Sequence, residues 1–220
     1  MNSEILLIDK PSGMSSFGVV ARVRRILTKK NGHKVKVGHA GTLDPFATGL
    51  LILLTVKNTK KATEFLKLDK WYNATICLGK TSTTGDPEGE IKITNSHILD
   101  QNTISKTLAT FRGRIQQTVP QYSAVKIKGQ RAYKLARGGK KVEMPTREVE
   151  IYQLDLVDYK WPYLKIRCHV SSGTYIRTLG EDIGKALGVG GYLTELRRTQ
   201  IGDFKIQDAT PLDEWMKNRG

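Results

Sequence analysis

Asp44 is the only carboxylate in a twelve-residue stretch, Gly38-His39-Ala40-Gly41-Thr42-Leu43-Asp44-Pro45-Phe46-Ala47-Thr48-Gly49, which also carries one imidazole and three glycines. A loop carboxylate can act as a nucleophile or as a general base, and the residues around this one suit a loop built to present it. Glycine tolerates positive φ and close approach of another molecule, while Pro45 fixes its own φ and biases Asp44 away from helical geometry. Asp-Pro alone is a common turn. Here it sits directly before the apolar run 50–56, better suited to a buried strand than to a surface helix, which gives the loop a stiff base.

A second cluster lies at Ser171-Ser172-Gly173-Thr174-Tyr175-Ile176-Arg177. Its pattern is a strand passing through a glycine into a helix, with Arg177 in the first helical turn. The helix dipole does not favour a cation there, so a specific partner is expected for it. The stretch 116–147 is dense in Lys, Arg and Gly, including Lys126, Lys128, Arg131, Lys134, Arg137, Lys140, Lys141 and Arg147. Such a run is often only a solvated surface.

The elements that must hold these residues are partly visible in the periodicity. Residues 4–9 read as a first strand. Ser15 or Ser16 caps a helix with Val19, Val20, Val23, Ile26 and Leu27 on one face and Arg22, Arg24, Arg25, Lys29 and Lys30 largely on the other. Strands are predicted at 71–78 and 163–170, the second from the clean alternation of Leu164, Ile166, Cys168 and Val170. Helices are predicted at 103–111, 174–187 and 192–198, with Gly188 stopping the second. Strands and helices do not alternate with the spacing of a doubly wound sheet, so the expected class is α+β, a mixed α/β architecture. No repeat or low-complexity linker marks a boundary, and one domain over 1–220 with insertions is the simplest organisation.

Composition narrows the partners. The chain of 220 residues is 39% hydrophobic and 26% charged with a formal net charge of +15, the profile of a folded protein with a polyanionic partner. No apolar stretch approaches the roughly 20 residues that span a bilayer, and the first residues do not resemble a secretory signal, so nucleic acid in the cytoplasm is the expectation, with no membrane partner. Cys77 and Cys168 sit in apolar contexts far apart and read as core thiols. The four histidines come with no matching cysteine or histidine set for zinc, so no metal and no cofactor is expected.

The twelve-residue string resembles the G-H-x-G-x-L-D-P-x-A-x-G signature of the TruB family of bacterial tRNA pseudouridine synthases. The family's upstream D-K-P-x-G-x-x-S is present as Asp9-Lys10-Pro11-Ser12-Gly13-Met14-Ser15-Ser16, and its G-T-Y-I-R and L-R-R as residues 173–177 and 196–198. The resemblance implies the pseudouridine synthase fold, a mixed and largely antiparallel central sheet flanked by helices, with 116–147 as a thumb-like insertion that is mobile without ligand and clamps RNA. It implies isomerisation of uridine to pseudouridine at position 55 in the T loop of tRNA, by a monomer that flips the target base out of its stack.

Asp44 matches the catalytic aspartate and Arg177 the arginine paired with it. Tyr72 matches the aromatic that stacks on the flipped base, although an aromatic at a strand start is ordinarily a packing residue. Tyr175 matches an active-site tyrosine and Leu196 a wall of the base pocket; either also reads as an ordinary core residue. His39 would contact RNA beside the base or merely brace its loop, and Lys10 and Pro11 would support the active-site loop. Typical members continue into a PUA-like RNA-binding domain, so this chain is expected to be a form lacking it. Two other readings stay open: a pseudouridine synthase acting on another RNA, and a non-catalytic RNA-binding or folding module.

Overall fold

The computed structural model describes residues 3–95, 97–123, 125–127, 129–137 and 143–219. In chain order the elements are β1 (Ile5–Lys10), α1 (Ser16–Asn31), β2 (Val37–His39), β3 (Thr48–Thr55), α2 (Ala62–Leu66), β4 (Lys70–Leu78), β5 (Lys80–Ser82), β6 (Ile91–Ile93), α3 (Gln101–Thr110), β7 (Gly113–Thr118), β8 (Lys126–Ile127), β9 (Gln130–Arg131), α4 (Ala132–Arg137), β10 (Thr146–Lys160), β11 (Tyr163–Val170), α5 (Ile176–Ala186), β12 (Gly191–Ile201), β13 (Phe204–Lys205), β14 (Thr210–Pro211) and α6 (Leu212–Arg219). They form two compact units, one of Met1–Asn73 with Glu195–Gly220 and one of Ala74–Thr194. The class is α+β, as expected, with mostly antiparallel strands.

In the first unit, β1 pairs antiparallel with β3, in a register that sets Ile5 opposite Leu54 and Lys10 opposite Gly49. The parallel neighbours are β14 on β1 and β12 on β3. Leu50 to Leu54 are fully buried because β3 is covered on both faces. Leu51 and Leu53 pack with Val19, Val20, Val23 and Leu27 of α1 and with Trp215 of α6, whereas Leu50, Ile52 and Leu54 face Phe65 and Ile201. Successive side chains of a strand point to opposite sides, so an unbroken apolar run feeds two cores at once. Ser15 caps α1 by accepting from the Gly18 amide at 3.0 Å, and Gly32 ends the helix in the left-handed region.

In the second unit β10, fifteen residues long, pairs antiparallel with β11 on one side and β7 on the other. The alternation in β11 is as predicted, with Leu164, Ile166, Cys168 and Val170 all buried. Helix α5 runs from Ile176 to Ala186, within the predicted span, and Gly188 follows it at φ +73°. Cys77 and Cys168 are buried, and neither is in a disulfide.

One element differs from expectation: residues 192–198, read as a helix, belong to strand β12. Tyr192, Leu193 and Leu196 mimic helical spacing, but Leu196 and Arg198 are both buried, at 7% and 1% exposure, with Arg197 between them more exposed. The two-residue period was hidden because one of its inward residues is an arginine. No helix among the described residues is long and apolar enough to cross a membrane. Of the basic insertion, Lys128, Lys140 and Lys141 lie outside the described residues.

Candidate active site

Asp44 is half-buried and its backbone is pinned on both sides. On one side the Ser16 hydroxyl, at the start of α1, donates to the Leu43 carbonyl at 2.9 Å and accepts from the Leu43 amide at 2.8 Å. On the other, the Pro45 carbonyl accepts from the Gly13 amide at 2.9 Å and from Lys10 Nζ at 3.2 Å. Lys10 is fully buried and also donates to the carbonyls of Pro11, at 2.8 Å, and Met14. An ammonium out of water is costly unless its protons are satisfied, so this one forces the 10–14 turn and the Asp44-Pro45 turn to close around it. Lys10 joins these turns through its side chain, and Pro11 takes part through its carbonyl.

Arg198 closes the base of the same loop. Buried in β12, it donates from Nε to the Leu50 carbonyl at 2.8 Å and from Nη2 to the Gly41 carbonyl at 3.1 Å, one partner on each side of Asp44. The adjacent Arg197 grips the Asp9 carboxylate with two bonds, at 2.6 and 3.1 Å. Gly49 is required for this approach: at φ +103°, a Cβ there would lie 2.3 Å from the Arg198 carbonyl oxygen.

His39 ends β2 half-buried, with Nδ1 buried and no hydrogen-bond partner among the described residues. Burial, and then the charge of Arg198, push its pKa below the ordinary imidazole range, so the ring is neutral at neutral pH. Tyr72 and Leu196, in the same unit, are each 7% exposed. Lys70, two residues before Tyr72, donates to the carbonyls of Leu66 and Leu68. Its pKa is pushed down to about 8 by burial first and Arg198 second, with Asp69 opposing.

Arg177 and Tyr175 belong to the second unit. Arg177 is 4% exposed, and its guanidinium donates to the carbonyls of Thr84 and Tyr122, both at 2.7 Å, and lies 3.3 Å from the Asp86 carboxylate. Both charged side chains are about 5% exposed. Asp86 offsets the unfavourable placement of a cation at the start of α5. It is in turn fixed by the Glu88 amide at 3.0 Å and the Thr84 hydroxyl. The Gln117 side chain, fully buried, accepts from the Tyr175 amide at 3.0 Å and donates to its carbonyl at 3.2 Å. The Tyr175 ring is half-exposed, with the Arg147 guanidinium 5.3 Å from its centroid. One turn further along α5, burial pushes the Glu181 carboxyl up to about 7, against the opposing pull of Arg177.

Sequence reasoning set Lys10 and Pro11 to support the Asp44 loop and Tyr175 and Arg177 at one helix start; Lys10 ends β1 with its Nζ on the Pro11 and Pro45 carbonyls, and Tyr175 and Arg177 stand at the start of α5. It missed Ser16 as a clamp, Asp86, Gln117 and Arg198. Asp86 had a signal, a second Asp-Pro after a glycine in Thr84-Gly85-Asp86-Pro87. Gln117 and Arg198 had none that marks a polar residue as inward-facing.

One unit holds a loop aspartate in a buried clamp, and the other fixes an arginine and a tyrosine at the start of a helix. Residues 24–176 match the N-terminal domain of the TruB family of pseudouridylate synthases, and residues 177–217 the tRNA pseudouridylate synthase B C-terminal domain. The chain is 46% identical to tRNA pseudouridine synthase B of Chloroherpeton thalassium, over 97% of this chain and 89% of that one. It is 48% identical to that of Desulfotalea psychrophila, over 93% and 84%. Among solved structures, a Cbf5-Nop10-Gar1 complex matches with a TM-score of 0.75 and 29% identity over 97% of this chain, which spans about half, 53%, of the matched chain. The chain belongs to the TruB family of pseudouridylate synthases.

Proposed function

We propose that the chain converts the uridine at position 55 in the T loop of tRNA to pseudouridine, with Asp44 as the catalytic carboxylate. Its relatives over 84 to 89% of their length are tRNA pseudouridine synthases, and uridine isomerisation in tRNA is the activity of this family. The reaction is an isomerisation: the C1′–N1 bond breaks, the uracil turns, a C1′–C5 bond forms, and the proton on C5 is lost as N1 gains one. No oxidant or group donor is consumed. Asp44 serves as nucleophile towards the ribose or as base for a ribose proton, and either role needs it ionised and held. We assign Arg177 as its counterion, Tyr72 as the stacking surface and Leu196 and Tyr175 as walls of the base site. The Nδ1 of His39, without a hydrogen-bond partner among the described residues, is assigned to the RNA, and Lys10 and Pro11 to holding the loop.

Stacking a flipped base on an aromatic returns about 1 to 3 kcal/mol, comparable to the few kcal/mol needed to extrude it. The protein acts as a monomer in the cytoplasm. The observation that carries the reading is the clamp on Leu43 and Pro45, which fixes Asp44 from both sides. The test is incubation with an unmodified tRNA transcript followed by pseudouridine mapping. The wild type forms product at one T-loop uridine and Asp44→Asn forms none while still binding the RNA. Product at a site in another RNA instead would favour a different substrate, and no product from the wild type would favour a binding module.

A further inference from the structure

Glu181 is an acid that the proposed reaction leaves unused, and nothing around it holds its charge. It is half-buried on α5, and among the described residues its carboxyl makes no hydrogen bond and no ion pair. It presses instead on backbone: a Cβ on Gly85 would lie 3.0 Å from the carboxyl carbon and 3.1 and 3.2 Å from its two oxygens.

Gly85 is the middle of the turn that grips Arg177. The Thr84 carbonyl accepts from Nη1 of Arg177 at 2.7 Å, and the Asp86 carboxylate lies 3.3 Å from the same nitrogen. Between them the Gly85 carbonyl accepts from the Leu193 amide of β12 at 3.0 Å, which fixes the turn from behind. Arg177 and Glu181 are four residues apart on α5, so the helix presents both to one side, and the same turn meets both.

Two carboxyls therefore stand around one guanidinium. Asp86 alone is enough to neutralise Arg177, and a second carboxylate would leave the group with a net negative charge. A carboxyl out of water with no donor to hold its ionised form keeps its proton. Burial accordingly pushes Glu181 up to about 7, with Arg177 pulling it down and Asp182 and Asp86 adding to the rise. Those three are the charged groups that act on it, two on its own helix and one on the turn; α3 and β7, which also pack on α5, contribute none among the described residues.

We propose that Glu181 is a positioning residue for Arg177: as a neutral acid it packs the 84–86 turn against the guanidinium and leaves that cation to balance the catalytic carboxylate, and once ionised it competes with that carboxylate for it. This rests on the assignment of Arg177 as the counterion of Asp44. A like charge added beside Asp86 weakens the attraction of Arg177 for any other anion.

The test is single-turnover pseudouridine formation in an unmodified tRNA transcript between about pH 6 and 8.5, for the wild type, Glu181→Gln and Glu181→Met. The wild-type rate is expected to fall at least about fivefold across that range, whereas each uncharged variant starts within about twofold of the wild type at the acid end and falls by less than about twofold. The tRNA Kd of all three should move together with pH, which places the difference in the reaction and not in binding. Lys70, which also titrates in this range, is common to all three and cancels. The two variants share length and lack charge but differ in polarity, so one that folds, checked by circular dichroism, is enough for the comparison. Variants that keep the wild-type fall, or that are as slow at the acid end as the wild type is at the alkaline end, overturn the proposal. A wild type that forms no product at any pH defeats the proposed function itself. An active wild type whose profile the variants share defeats only the role of Glu181.

Discussion

Glu181→Gln should make the protein's stability less sensitive to pH, because this carboxyl holds its proton more tightly folded than unfolded. It sits on α5 one turn after Arg177, facing Asp86 and Asp182 as well, and packs so closely on Gly85 that a Cβ there would lie 3.0 Å from its carboxyl carbon. Burial is the largest cause of its rise from 4.5 to about 7, with Arg177 opposing and the two aspartates adding to it. Between those values the folded chain carries a proton that the unfolded chain has lost, so raising the pH through that window removes stability. At about 1.4 kcal/mol per tenfold change in proton affinity, the wild type should lose about 2.5 kcal/mol more than the glutamine variant between pH 5 and 8, or about 1 kcal/mol where water reaches the carboxyl. Glutamine keeps the shape and cannot ionise, and His39, whose lowered pKa acts in the opposite direction, is common to both proteins and cancels. Urea denaturation at half-unit pH steps, followed by circular dichroism, reads the difference. Parallel stability curves, or a wild type that gains on the variant as the pH rises, would refute the reasoning.

Gly49→Ala should cost about 3 kcal/mol, seen as a melting temperature lower by about 6 to 12 °C, since its Cβ would meet backbone; Gly32→Ala, at φ +69° with open space around it, should cost about 1 kcal/mol. Equal shifts for the two would mean that β3 and β12 are not locked at this point. Asp86→Asn should lower stability by about 2 to 4 kcal/mol and kcat by more than tenfold, because Arg177 loses its buried counter-charge; steady-state kinetics with a tRNA transcript checks it, and a change confined to KM would contradict the placement. Hydrogen exchange across residues 116–147 should slow on addition of tRNA, and unchanged exchange would remove the clamp assigned to that stretch.

The acid loop was legible because its chemistry is local. Glycines, a proline and a following apolar run state within a dozen residues that a turn on a buried strand presents Asp44, and the α1 face and β11 were equally plain from their periods. What escaped was long-range. Nothing near Arg177 in sequence announces Asp86, some ninety residues earlier, and Gln117 reads as one more polar residue at the start of the basic 116–147 stretch although its amide fixes the start of α5. The same blindness turned β12 into a helix, because an inward arginine breaks the binary pattern on which strand recognition depends.

Arg198 shows why such a residue is kept despite the cost of burying it. Its hydrogen-bond partners are the Gly41 and Leu50 carbonyls, with no carboxylate in ion-pair range among the described residues, so carbonyl oxygens solvate its charge. The remaining positive field reaches its neighbours, helping to push His39 down and Lys70 to about 8. A field that disfavours protons on His39 and Lys70 favours negative charge at the same place, and the loop it closes carries Asp44 and is proposed to receive a polyanion. An apolar side chain of the same volume could fill the space and avoid the desolvation penalty, but it would not join both ends of the loop or supply the field. The buried arginine thus does two jobs with one group: it joins both ends of the loop that carries Asp44, and it sets a positive field at His39 and Lys70.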